Sequence, residues 1–314
     1  MNARHIQGSI VALVTPFHPD GSVHFEKLGE LIDFHLANQT DAILILGTTG
    51  ESSTMTHEED DAVCAYTVQR VAGRVPVLAG SGSNCTETMV EKSLSFERLG
   101  VDGLLLITPY YNKTNEEGMY LHFKTVADAV HIPCILYNVP GRTGCSISEN
   151  VVRRLSVHPN IVGIKEASGS LSYAARIARC LSDEFLMYSG NDDIVLPMMA
   201  LGSSGVISVA ANILPREMHD MVWNYLRGDH ASALETQLRY LDVIHGLFLE
   251  VNPVPVKEAL NLMGMEVGGY RLPLTAMSEG PRAALREAIN LAGQVQILSL
   301  VGLLVDGIFK THIN

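Results

Sequence analysis

Residues 103–109 read GLLLITP, a run that is apolar on both faces and ends on a proline. It is short for a helix, and it lacks the alternation of a strand with one wet face. That is the pattern of a strand buried on both sides in a parallel sheet. Working outward, the same pattern recurs upstream at Ser9–Pro16, Ala42–Gly47 and Val75–Gly82. It recurs downstream at Pro133–Pro140, Ile161–Ser168, Phe185–Gly190 and Gly205–Ala211. Amphipathic stretches fill the gaps, among them Phe25–Asn38, His57–Val71, Thr86–Leu99 and Glu116–Ala129. Thr56 and Thr86 stand where helix N-caps are expected, and Gly73 and Gly100 follow expected helix ends. Strand–helix units repeated in series, with no hairpin turn signal, predict an α/β fold: a closed TIM (β/α)8 barrel.

After about Asn212 the strand signal stops. Pro215–Arg227, Ala231–Leu249 and Pro255–Met263 read as helices. The reading is a barrel over 1–225 and a C-terminal helical appendage over 226–314. The apolar tail Ile297–Phe309 fits neither part cleanly. A membrane span needs about 20 apolar residues, so a last helix packed on the body or on a partner subunit is the expectation there.

Composition narrows the partners. The 314 residues carry 34 acidic and 22 basic side chains, a net charge of −12. No basic block stands out, which argues against nucleic acid and membrane partners. The cysteines Cys64, Cys85, Cys134, Cys145 and Cys180 are odd in number and lack CxxC spacing. That favours buried thiols in a reducing compartment, with the cytoplasm as the default location. Metal and dinucleotide motifs are missing: no HExxH, no repeated histidine spacing and no GxGxxG after a strand. No metal or cofactor is therefore expected.

Barrel enzymes place their chemistry at the C-terminal ends of strands. Lys165, inside the apolar run IVGIKEAS (161–168), is the most conspicuous polar group there. It points either outward between helices or inward to the barrel mouth. An inward lysine is desolvated, its neutral amine is favoured, and it can condense with a ketone to an imine. Tyr137 ends its run as an amphipathic core residue or as a phenol that moves protons. Thr48 and Thr49, in GTTGE (47–51), offer hydroxyls beside glycines that let backbone amides approach a carboxylate. Tyr110 and Tyr111 are adjacent aromatics after the fourth run. Arg142 is either a surface charge or a bidentate clamp for a carboxylate.

GTTGE (47–51), ITPYYNK (107–113), LYNVPGRTG (136–144) and GIKEASG (163–169) together resemble the dihydrodipicolinate synthase family. So do SGND (189–192), GVISV (205–209) and NPVPVK (252–257), and the similarity runs from about Gly8 to about Leu291. The resemblance implies that Lys165 forms a Schiff base with pyruvate while Tyr137 assists proton transfer. Thr48 would link Tyr137 to Tyr111 in a relay, with Tyr111 reaching into a neighbouring subunit's site. Thr49 would hold the pyruvate carboxylate. Arg142 would receive the carboxylate of aspartate semialdehyde, and Gly190 and Ile207 would line the site through their backbones. The implied reaction is the first committed step of lysine biosynthesis, giving 4-hydroxy-tetrahydrodipicolinate. The implied assembly is a homotetramer, a dimer of dimers.

The wider superfamily includes N-acetylneuraminate lyase and other sugar-acid aldolases. Thr49, Tyr111 and Arg142 favour the synthase over these. Lysine-inhibited family members bind lysine at a dimer interface, and Ser52, His57, Asn84 and Tyr110 match that site. Asp60 stands there for a frequent histidine and Thr88 for a glutamate, which implies weak or absent feedback inhibition.

Overall fold

The computed structural model describes residues 5–293. All eight apolar runs form strands: β1 (Gly8–Ala12), β2 (Ala42–Ile45), β3 (Val77–Gly80), β4 (Gly103–Ile107), β5 (Cys134–Asn138), β6 (Ile161–Glu166), β7 (Leu186–Ser189) and β8 (Gly205–Ser208). They pair in sequence order, all parallel, and β8 closes on β1. This is the predicted (β/α)8 barrel.

Closure depends on two glycines. Gly8 pairs with Gly205, and a Cβ at 205 would lie 1.9 Å from the Gly8 carbonyl oxygen. Both have positive φ, where only glycine is unstrained. At the same end, the Asp41 carboxylate accepts from Ser9 N–H, His219 Nδ1 and Trp223 Nε1, tying the start of β2 to β1 and to helix α9 (Pro215–Leu226).

Alternate strand residues sort into two apolar layers. Ile10, Leu44, Leu78, Leu105, Ile135, Val162, Tyr188 and Ile207 fill the barrel interior. Val11, Ile43, Val77, Leu104, Leu136, Ile164 and Val206 pack outward against the helices. Those helices include α1 (Phe25–Ala37), α2 (His57–Val71), α3 (Thr86–Arg98) and α4 (Glu116–Ala129). Thr56 caps α2 in a reciprocal box with Glu59, as expected. Thr86 is no cap: α3 starts at Thr86 itself, and its hydroxyl instead bonds the buried His122 Nδ1 at 2.8 Å.

The stretch expected as one helix over Ala231–Leu249 is two, α10 (His230–Arg239) and α11 (Leu241–Gly246). The α10 backbone stops at Tyr240, whose side chain turns into the core. Helix α12 (Val254–Leu262) follows, and residues 279–293 are helical. Val243, Ile244, Val256 and Leu285 belong to the same apolar cluster as the outer layer of the barrel. The apolar tail Ile297–Phe309 lies outside the described residues.

A solvent-sealed ion pair helps fasten the appendage to the barrel mouth. Lys257 Nζ, on α12, meets Glu51 Oε1 at 2.8 Å with both side chains essentially sealed from solvent. The ammonium also lies over the rings of Phe17 and Tyr270, at 4.3 and 5.4 Å from their centroids. Glu51 closes the loop that carries Thr48 and Thr49, so the appendage sets where those hydroxyls stand. Glu51→Ala leaves a buried ammonium without its partner. A loss of about 3–5 kcal/mol is expected in urea unfolding. A loss under about 1 kcal/mol, the range of a surface pair, would contradict this role.

Candidate active site

Whether Lys165 points in or out is decided by a register shift. On β6, Ile161 packs outward and Val162 inward. Strict alternation from there would send Lys165 outward. Instead the pairing with β5 shifts at Cys134/Ile135: Cys134 opposes Ile161, but Ile135 opposes Gly163. Val162 is an extra residue in a β-bulge. Ile164 therefore packs outward, and Lys165 falls beside its register partner Tyr137 on the interior side.

Lys165 is only 5% exposed. Its Nζ lies 4.5 Å from the centre of the Tyr137 ring. Burial brings the amine down to about 8, partly opposed by the Asp192 carboxylate and reinforced by the Arg142 guanidinium. Among the described residues no carboxylate lies within ion-pair distance of it. Tyr137 is buried too, and burial raises its phenol above the ordinary value. Arg142 and a hydrogen bond with Thr48 work the other way.

The GTTGE loop meets the appendage at this mouth. The Asn252 amide donates to Thr49 Oγ1 at 3.0 Å. The Asn252 carbonyl accepts from Arg142 Nη2 at 3.2 Å. Arg142 itself stands on a single helical turn, α5 (Pro140–Thr143), directly after β5. Thr49 is buried and Arg142 exposed. Gly190 donates its N–H to the Glu166 carbonyl at 2.7 Å. A Cβ there would come within 2.5 Å of the Ala167 Cβ. Ile207 is fully buried in the interior layer.

Three groups were missed in the sequence. Asp192, just past β7, is a buried acid whose Oδ2 accepts from the amides of Val209 and Ala210 at 3.0 Å each. Asp192 and Asn252 were visible only as parts of SGND and NPVPVK, with no role given to either. Lys92 was not noticed, and its Nζ pairs with Asp60 Oδ2 at 2.8 Å and lies 3.3 Å from Ser52 Oγ. An acid closing an apolar strand run was the one available signal, for Asp192. The others are brought in from distant helices and loops.

A cleft of about 420 Å³ opens beside Tyr137, Thr48 and Arg142 and continues to Ser52, His57, Asp60, Thr88, Lys92 and Tyr110. Of the residues matched to an effector site, Ser52, His57 and Tyr110 line this cleft and Asn84 does not. Asn84 spends its carbonyl on Asn112 Nδ2. Tyr111 stands apart. It is 90% exposed, with a left-handed backbone at φ 68°.

The barrel and this mouth define a class, the (β/α)8 enzymes that act at the C-terminal ends of their strands. The chain belongs to the dihydrodipicolinate synthetase family, whose model matches residues 5–292. A 4-hydroxy-tetrahydrodipicolinate synthase of Caldicellulosiruptor bescii is 52% identical over 283 residues, 90% of this chain and 96% of the relative. The dihydrodipicolinate synthase of Acinetobacter baumannii, solved in complex with pyruvate, superposes with a TM-score of 0.90 at 42% identity, covering 92% of this chain and 99% of that one. The DHDPS of Cyanidioschyzon merolae, solved with lysine bound, superposes with a TM-score of 0.90 at 40% identity and the same coverage.

Proposed function

We propose that this chain condenses pyruvate with L-aspartate 4-semialdehyde to 4-hydroxy-tetrahydrodipicolinate, with Lys165 as the imine-forming amine. The observation that carries this reading is the buried Lys165 side chain beside the Tyr137 ring. In a family of synthases, it is a buried mouth amine with no carboxylate within ion-pair distance among the described residues.

The neutral Lys165 amine bonds to C2 of pyruvate, and the ketone oxygen leaves as water. The cationic imine makes the C3 protons acidic. Loss of one gives an enamine that attacks the aldehyde carbon, whose oxygen takes up a proton. The substrate's own amine then attacks C2, closes the ring and releases Lys165. Tyr137, supported by Thr48, is assigned the proton transfers at the imine. Thr49 and the flanking amides are assigned the pyruvate carboxylate. Arg142 is assigned the second carboxylate, which a guanidinium fork suits. Gly190 and Ile207 are assigned to the walls of the site.

Borohydride reduction in the presence of pyruvate is expected to add mass to Lys165, and Lys165→Ala to abolish it. Capture of pyruvate should rise with pH through about 8 and then level, because only the deprotonated amine attacks. No mass on Lys165, or an aldehyde preference for a sugar acid in a coupled assay, would refute the assignment.

The cleft residues matched to a lysine-binding site are assigned a weak regulatory role at most. The acid at that place, Asp60, already holds the ammonium of Lys92. Thr88 supplies no charge for a free lysine. Inhibition curves should show no half-maximal effect at submillimolar lysine.

The catalytic unit is proposed to be a dimer within a cytoplasmic homotetramer. The exposed, left-handed Tyr111 supports the dimer, since its phenol has space to enter a second copy's site. That the described cysteines form no disulfide supports the compartment. If Tyr111 serves the partner's site, mixing Lys165→Ala chains with Tyr111→Phe chains should regain activity that neither has alone. Mixtures no better than the sum of their parts would argue against sharing.

A further inference from the structure

Asp192 is a buried acid beside the mouth. It lies three residues past Ser189 at the end of β7, the strand that pairs with the Lys165 strand. Its Oδ2 accepts two backbone N–H groups, those of Val209 and Ala210, and the Ser208 hydroxyl also bonds the carboxylate. Its own carbonyl is held by Gln237 Nε2 at 2.9 Å, from α10. So the carboxylate is fixed by the end of β8 and by the appendage. The other oxygen, Oδ1, is buried with no hydrogen-bond partner.

Burial pushes the Asp192 acid up, while the Ser208 hydroxyl, the two amides and Lys165 pull it back down, so the carboxylate keeps its charge only with a cation nearby. The nearest candidates are few. Lys165 feels Asp192 and Arg142. Glu166, next on β6, is turned away and spends its oxygens on Asn138 Nδ2 and the Ser168 N–H. Asp193 faces outward toward His245, 3.8 Å away. Tyr137 offers its ring rather than a charge.

Resting on the imine assignment above, we infer that Asp192 is a positioning residue: a carboxylate pinned short of contact with Lys165, which serves as fixed counter-charge to the cationic imine. The distance has a physical sense. A carboxylate in contact would lock the amine as ammonium, as Glu51 holds Lys257. One held back leaves the free amine able to lose its proton. It still lowers the energy of the positive charge that persists on nitrogen from water loss until the C3 proton departs, and again after the new carbon–carbon bond forms.

Asp192→Asn keeps the shape and removes the charge. The acid limb of pyruvate capture, followed by cyanoborohydride trapping, should move to lower pH by about one unit, because the ammonium loses a favourable neighbour. Turnover at the optimum should fall by about tenfold or more, because the imine loses it too. A purely structural role would lower turnover without moving the limb downward, so a limb that stays or rises overturns the inference. Ser208→Ala, a gentler change, should shift the limb the same way by less. It decides the matter if the first variant does not fold, and an unmoved limb there also overturns it. Failure of the wild type to trap pyruvate on Lys165 would instead sink the imine assignment itself.

Discussion

One constraint governs the site: an amine must sit inside the barrel mouth, out of water, without a carboxylate touching it. Burial makes the neutral form accessible near neutral pH, while contact with an acid would restore the ammonium. The chain contains both outcomes. Lys257 and Lys165 are each buried, but Lys257 is clasped by Glu51 between two aromatic rings and serves as a fastener. Lys165 has the Tyr137 ring on one side and, among the described residues, no carboxylate within ion-pair distance.

The inward placement of Lys165 comes from the bulge at Val162. A bulge costs a regular ladder step, yet here it shifts the side-chain phase of β6 from Gly163 to the end of the strand. Gly163 permits it, since a Cβ there would collide with the Leu186 carbonyl at 2.6 Å. The Lys165 side chain is thus aimed by main-chain geometry on a buried strand. That limits the rotamer freedom lost when substrate binds.

The rest of the mouth is assembled from far along the chain. The GTTGE loop, the Arg142 turn and the segment at Asn252 meet through two hydrogen bonds and one sealed ion pair. The helical appendage therefore shapes the barrel mouth as much as the strands do. The cleft beyond Thr48 carries a second buried pair, Lys92 with Asp60, that neutralises what would otherwise be an open acidic pocket.

The sequence by itself determined the barrel, because eight doubly apolar runs separated by helical stretches have one economical parallel arrangement. It also determined the chemical inventory of the mouth, since Lys165, Tyr137, Thr48, Thr49 and Arg142 all sit at or just past strand ends. The break between α10 and α11 and the cap of α3 escaped it, as local propensity does not register which side chains the core will claim. Only the tertiary structure decided which way Lys165 faces. Alternation along β6 alone says outward, and the reversal depends on how β6 pairs with β5. The same holds for Asp192, Asn252 and Lys92, whose partners lie on other elements and leave no periodic trace.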